Sequence, residues 1–347
     1  MNTERLKIFL ARNGIFMALI ALIAVFSVLR PNFFSLANGQ SILLQAAELG
    51  LIAIPLAFLI MSGTIDLSVG SVASAAAVAG GMVMSGTGST TTGILAGIAL
   101  GALAGALNGF LVSYLGLNSF VVTLGGLSVW GGFALFLSGG KTIPRAELPE
   151  AFRAIGTLKV GPVPIQIVLL ILVVAAGWYV LNRTQFGKNV KAIGGNERAA
   201  RLMGVNVKGT RFLLFVTSGG FAAAAGLLLS AKVQSANPNI GSGLELEALT
   251  VVLLGGVAFQ GGIGRISGVV AGLLFFRVLR AGLVFMQASP FLQTILVGLT
   301  LIVAVALDSS IQKVIRSSWA KLGKDATEEA EDDNRSGPAE RERAGTS

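Results

Sequence analysis

The side chains in this sequence that could do chemistry are carboxylates and amides, because the 347-residue chain has no Cys and no His. Thiolate and imidazole metal sites, Cys or His nucleophiles and His proton relays are therefore excluded. Asp66 is the most unusual carboxylate, since it lies between two apolar segments in the sequence Ser62-Gly-Thr-Ile-Asp-Leu-Ser-Val-Gly70. A charge in that setting is costly unless it is paired, hydrated or capping a helix.

The position of Asp66 allows two roles. The side chain can cap a helix that begins near Leu67, by accepting a hydrogen bond from the backbone N–H of Ser68 or Val69. It can instead contact a transported solute, in which case the flanking glycines would permit the broken helix that transporters use near the membrane midplane.

Further polar residues near membrane depth could line a hydrophilic path. Singly, each of them can serve as an interhelical hydrogen bond or an interface residue, whereas the set favours a conduit for a polar, uncharged solute. Arg277 and Arg280 share a helix face and could snorkel, pair with a nearby glutamate or line the same path. The candidates for the translocation pathway are Gln45, Glu48, Asp66, Ser68, Asn108, Asn118, Glu245 and Glu247.

The composition shows what kind of element must position these residues. Apolar residues make up 53% of the chain, charged residues 12%, and the mean hydropathy is +0.78, whereas soluble domains carry about 25% charged residues. A helix needs about 20 apolar residues to cross a bilayer. We therefore expect an all-α, polytopic integral membrane protein with about ten transmembrane helices, near 14–30, 42–61, 68–86, 93–115, 120–138, 164–181, 212–231, 245–261, 267–285 and 290–307.

The basic residues predict the orientation of this ten-span arrangement. Most of the 26 Lys and Arg fall on one side, in residues 1–13, in the 182–211 loop and after residue 307. The positive-inside rule places that side in the cytoplasm and makes nucleic acid an unlikely reason for the charge. We expect a cytoplasmic N-terminus over 1–13, a retained first span, a permease domain over 14–307, both termini in the cytoplasm, and a disordered acidic tail over 308–347.

The fourth expected span carries a glycine at every fourth position from Gly93 to Gly109. On a helix these glycines form one smooth face that a neighbouring helix can approach closely. The pattern predicts a tightly packed bundle and gives little information about what the protein carries.

The 182–211 loop contains the segment Gly194-Gly-Asn-Glu-Arg-Ala-Ala-Arg-Leu-Met-Gly204. Asn196 is a plausible N-cap, residues 199–203 favour helix, and Gly204 is a good C-terminal stop. A short helix on the cytoplasmic surface would be a docking element. The alternative is a basic loop that only sets the topology.

Three segments together resemble the ribose-type permease family of bacterial ATP-binding-cassette importers: residues 62–70, residues 194–205 and the segment Leu254-Gly-Gly-Val-Ala-Phe-Gln-Gly-Gly-Ile-Gly-Arg265. The resemblance covers residues 35–310 in the same order. It implies a multi-pass protein of the bacterial inner membrane, in lipid, that pairs with a second permease copy or a paralogue. A cytoplasmic ATPase dimer would bind ATP and Mg, this chain would hold no cofactor, and a periplasmic or lipid-anchored binding protein would deliver a monosaccharide.

The resemblance also implies that the 182–211 loop contains the helix that couples to the ATPase. In related importers the loop reads Glu-Ala-Ala followed by a glycine; here Arg198 holds the acidic position and the carboxylate comes one residue earlier. The residues expected to couple are Gly194, Gly195, Asn196, Glu197, Ala199, Ala200 and Gly204.

An ion-coupled secondary transporter of a small polar solute is the alternative function. It would place acids such as Asp66 and Glu48 in an ion site near the midplane. The sequence Gly139-Gly-Lys-Thr142 resembles the end of a phosphate-binding loop, but it follows an expected membrane span and lacks the first glycine of that motif. We therefore expect a transport subunit that is not itself an enzyme.

Overall fold

The computed structural model describes residues 3–306, with side chains from Asn13 onward, and residues 15–305 form one compact unit. The expected tail over 308–347 lies outside the described residues. The helices are α1 Thr3–Leu29, α2 Leu36–Met61, α3 Val69–Thr87, α4 Thr90–Ser113, α5 Ser119–Ser138, α6 Glu150–Ile155, α7 Ile165–Arg183, α8 Gln185–Gly195, α9 Glu197–Leu202, α10 Val207–Val233, α11 Leu244–Leu254, α12 Ile266–Phe285 and α13 Pro290–Ala306.

Small elements interrupt this helical pattern between α5 and α7. A two-stranded antiparallel hairpin joins β1 Lys159–Val160 to β2 Val163–Pro164. A short 3-10 turn, Arg145–Glu147, lies in the same stretch, and another, Pro31–Phe33, lies between α1 and α2. The sequence analysis predicted neither the hairpin nor the turns.

Seven of the described helices are long and apolar enough to cross a membrane: α2, α3, α4, α5, α7, α10 and α12. The apolar part of α1, Asn13–Leu29, and α13 are shorter. The expected all-α polytopic fold is thereby confirmed. The span expected at 245–261 is wrong as a continuous helix, because α11 has 11 residues and reaches only about 16 Å. Glycines with positive φ at 256, 261 and 262 take the chain out of helix beyond it.

Helix α2 is the centre of the bundle. Every residue from Ala46 to Met61 is buried, as expected for a helix that is apolar on all sides. Helices α10, α12, α7 and α11 pack around it, while α3, α4 and α5 form the other side of the bundle with α10. The polar residues carried by α2 therefore lie at its ends or inside the protein.

The glycine face of α4 is a packing surface, as its spacing predicts. All five of its glycines are buried. A Cβ atom on Gly101 would meet the backbone of Gly219, and one on Gly105 would meet the backbone carbonyl of Phe215, both on α10. Close backbone approach at small residues is the main source of helix association in lipid. Gly101 and Gly105 therefore fix the distance between α4 and α10, whereas Gly93 packs against α3.

We expect Gly105→Ala to lower the thermal unfolding midpoint of the purified protein, because overpacking a close contact costs about 1–3 kcal/mol. Gly125→Ala on α5 is the matched control, since its Cβ would meet no atom within 4 Å and alanine favours helix. Equal midpoints for the two variants would contradict the assignment of this seam.

Candidate functional site

The helix break between α2 and α3 contains a buried carboxylate. Asp66 is 1% exposed. Its Oδ1 accepts hydrogen bonds from the backbone N of Ser68 (3.0 Å) and from Ser68 Oγ (2.6 Å), and its Oδ2 accepts one from Ser218 Oγ (3.3 Å). Of the two backbone donors predicted for Asp66, the Ser68 N–H makes the hydrogen bond. The predicted cap is wrong, because α3 begins at Val69 with Ser68 as its N-cap, so Asp66 lies before the helix. The donors around Asp66 compensate the loss of water from its carboxylate.

This network ties three helices together. Asn108 Nδ2 on α4 donates to Ser68 Oγ over 2.8 Å, while Ser218 on α10 reaches Asp66. Asp66, Ser68 and Asn108 are all buried. Three of the predicted pathway residues therefore lie together, at a point where α3, α4 and α10 meet.

A second group lines a cavity of about 500 Å³ at the other end of the bundle. Glu48 Oε1 lies 2.6 Å from Lys232 Nζ. One oxygen of Glu247 lies 3.2 Å from Arg277 Nη1, and its other oxygen pairs with Arg280. The two arginines thus pair with Glu247 and line the cavity at the same time. The residues of this outer cavity are Asn38, Ser41, Gln45, Glu48, Lys232, Ser242, Leu244, Glu247, Arg277, Arg280, Ala281, Val284 and Phe285.

Two predicted pathway residues lie in neither group. Asn118 is exposed and caps α5 by accepting from the backbone N of Phe120. Glu245 is in the first turn of α11, where its carboxylate accepts from the backbone N of Gly243. The eight predicted residues therefore occupy separate places along the bundle. Lys232, which is not among the predicted residues, belongs to the outer cavity.

The 182–211 loop contains two helices, α8 and α9. Asn196 caps α9 by accepting from the backbone N of Ala199 (3.0 Å), and Gly204 follows the helix with φ +81°. The predicted short helix is confirmed, whereas the sequence analysis did not predict α8. Gly194 packs against the end of α2 and against Gly262 so closely that a side chain would not fit.

Arg211 connects α9 to the helix break. Its Nη1 donates to Glu197 Oε2 (2.8 Å) and its Nη2 donates to the carbonyl of Ser62 (3.1 Å). Arg201 Nη2 donates to the other oxygen of Glu197 (2.7 Å). Arg211 thereby links the 182–211 loop to Ser62, from which the chain continues to Asp66. Sequence analysis missed this role of Arg211, because its partners are distant in the chain.

The charge on Glu197 is maintained by these arginines. Partial burial acts to raise the pKa of Glu197, but the hydrogen bonds and charges of Arg211 and Arg201 outweigh it and hold the pKa below its usual value. A lowered folded pKa means that the stabilisation is present above the unfolded pKa and is lost as the pH falls through the folded pKa. The link between α9 and Ser62 therefore persists throughout the neutral range.

Within the part of the chain that the structure describes, no group of three or more Asp or Glu residues could hold a metal ion. The features that stand out are a broken helix with a satisfied buried carboxylate, a charged cavity at one end of the bundle and a small helix pair at the other. This arrangement in a multi-pass bundle is that of a membrane transport protein.

Comparison with known proteins identifies the family. Residues 38–305 match the family described as "Branched-chain amino acid transport system / permease component". The chain is 38% identical to the L-arabinose transport system permease of Escherichia coli over 88% of this chain and 92% of the relative. It is 36% identical to the ribose import permease of Bacillus subtilis, over 85% and 92%. It is 34% identical to the galactose/methyl galactoside import permease of Escherichia coli, over 89% and 97%. No solved structure matches the chain.

The chain belongs to this family of permease components, in the ATP-binding-cassette importer class that the sequence resemblance implied. It is a multi-pass inner-membrane transport subunit and not an enzyme.

We expect Asp66→Ala to lower the thermal unfolding midpoint strongly. The substitution leaves the Ser68 N–H and two hydroxyl groups without their buried acceptor, and each such loss costs about 1–3 kcal/mol. Asn118→Ala removes an exposed cap and should cost about 1 kcal/mol. If thermal melts of the two purified variants coincide, the buried network does not hold α3, α4 and α10 together.

Proposed function

We propose that this chain forms the membrane pathway of an importer for a monosaccharide. An extracytoplasmic binding protein delivers the sugar, a separate cytoplasmic ATPase binds ATP and Mg, and a second permease copy or a paralogue completes the membrane part. The names of the relatives, which are permeases for arabinose, ribose and galactose, support a sugar cargo.

The observation that carries this proposal is the connection between α9 and the helix break. Leu202 and Met203 at the end of α9 are 83% and 72% exposed. Apolar side chains displayed on a charged loop are typical of a surface that a partner covers. The partner here is the ATPase. The residues that receive its motion are Gly194, Gly195, Asn196, Glu197, Ala199, Ala200 and Gly204.

We propose that the motion of the ATPase is transmitted from α9 through Arg211 to Ser62. Beyond Ser62 the chain reaches Asp66, whose hydrogen bonds hold the start of α3 beside α10, with α4 joined through Asn108. A displacement of α9 by the ATPase would therefore shift the broken segment against its neighbours. Packed interfaces of this kind switch between discrete arrangements instead of deforming continuously.

The pathway that opens in this way is lined by polar groups at several depths. Gln45, Glu48 and Glu247 belong to the outer cavity. Asp66, Ser68 and Asn108 lie at the helix break, and Asn118 and Glu245 lie along the same bundle. The binding protein supplies affinity and ATP supplies direction, so each contact with the cargo along the path is weak.

We expect Arg211→Gln to reduce binding-protein-stimulated ATP hydrolysis and sugar uptake by about tenfold in vesicles that contain the whole complex, as a coupling loss of about 1.4 kcal/mol does. The ATPase should still copurify, because Arg211 is not on the exposed end of α9. Lys188→Gln, an exposed cation on α8, is the control and should leave both activities unchanged. Full activity of Arg211→Gln would show that the link transmits nothing.

Gly204 provides a second test of the loop. Proline cannot adopt the φ of +81° found there, so Gly204→Pro should abolish uptake and its coupling to ATP hydrolysis without preventing membrane insertion. Gly204→Asn should retain both, because asparagine tolerates this conformation. Normal uptake by Gly204→Pro would exclude the loop from the mechanism. In a separate measurement, uptake by the purified chain alone, driven by an ion gradient, would favour a secondary transporter.

A further inference from the structure

The outer cavity carries more positive than negative charge. Its lining includes three cations, Lys232, Arg277 and Arg280, and two carboxylates, Glu48 and Glu247. The lining comes from the beginning of α2, the end of α10, the beginning of α11 and the second half of α12. The opposite end of α2 packs on Gly194 of α8, and the opposite end of α10 binds Glu197 of α9 through Arg211. The positive-inside rule places α8 and α9 in the cytoplasm, so we place the cavity on the outer side of the membrane. The lining therefore has an excess of one positive charge.

The pairing inside the outer cavity shows where this excess lies. Lys232 pairs with Glu48, and both arginines pair with Glu247. The Arg277 side chain is 6% exposed, and its Nε–H has no hydrogen-bond acceptor. Two guanidinium groups that share one carboxylate keep one unit of positive charge, which an anionic occupant can neutralise. The arginine pair therefore favours an occupant that brings a negative charge.

The rest of the outer cavity suits a small polyhydroxylated molecule. A volume of about 500 Å³ is within the range of small-molecule sites, which is about 300–1,000 Å³. The amides of Asn38 and Gln45 and the hydroxyls of Ser41 and Ser242 add uncharged donors and acceptors. Both cations at the opening are accessible, since Arg280 is 37% and Lys232 is 34% exposed.

We propose that the outer cavity binds a sugar acid, that is, a polyhydroxylated molecule with one carboxylate, and that Arg280 and Lys232 receive the carboxylate. The inference rests on the proposed function in one respect, because it takes the occupant to be the sugar-like cargo. A single carboxylate neutralises the excess charge, whereas a neutral sugar would leave it. Arginine also suits the planar geometry of a carboxylate, which it binds with two parallel hydrogen bonds.

Direct binding to the full-length purified chain tests this proposal without the binding protein. The chain is placed in nanodiscs of phosphatidylcholine, and titration calorimetry compares D-galacturonate with D-galactose, which differ in the carboxylate at one carbon. We expect D-galacturonate to bind about tenfold more tightly, as a charged hydrogen bond allows, and its affinity to fall with added salt. Equal affinity for the two sugars would overturn the proposal.

Two variants locate the binding. Arg280→Gln should weaken D-galacturonate binding about tenfold and D-galactose binding much less. Arg145→Gln, an exposed cation outside the cavity lining, should change neither. A loss of both sugars in Arg280→Gln would indicate damage to the fold, and an equal loss in Arg145→Gln would indicate nonspecific charge attraction; either result overturns the assignment.

A third experiment distinguishes a bound sugar acid from a bound lipid headgroup. If nanodiscs that contain phosphatidylglycerol abolish D-galacturonate binding at constant ionic strength, a lipid headgroup occupies the outer cavity and the sugar-acid proposal fails. The outcomes for the importer are distinct. ATP-driven uptake of a neutral sugar without D-galacturonate binding would reject this inference alone, whereas D-galacturonate binding without any dependence of uptake on ATP would reject only the proposed function.

Discussion

Inside a bilayer, polar groups must find hydrogen-bond partners within the protein. This requirement determines the structure around the break between α2 and α3. Breaking a helix there frees backbone groups, and Asp66 adds a charge that water cannot solvate. The Ser68 N–H and hydroxyl and the Ser218 hydroxyl satisfy that carboxylate. Because these donors come from different helices, the break can exist only where α3 and α10 meet, and the positions of both helices follow from it.

Small residues make that meeting possible. The α4 glycines bring its backbone against α10, and Asn108 on the same helix then reaches Ser68. In lipid there is no hydrophobic gain from pressing helices together, so close packing and hydrogen bonds must supply the stability. The glycine face and the polar network are therefore two parts of one interface, and a substitution in either would disturb the other.

Charge is concentrated at the two ends of the bundle and serves different purposes there. At one end the Glu197–Arg211 pair joins a surface helix to Ser62, and both arginine partners of Glu197 keep its carboxylate charged. At the other end Glu247 divides its charge between two arginines. In both arrangements one glutamate pairs with two arginines. The first joins α9 to the end of α2 and suits transmission of motion, whereas the second lines a cavity and suits binding.

Local patterns in the sequence predict the all-α membrane class, most of the spans, the cap at Asn196 and the stop at Gly204, because composition, helical period and capping act over a few residues. Only the tertiary structure decided that α11 ends at Leu254, that Lys232 meets Glu48 and that Arg211 meets Ser62. Each of those outcomes depends on which helices become neighbours. Glu48 and Lys232 are far apart in the chain, so neither local propensity nor hydropathy predicts that their side chains meet.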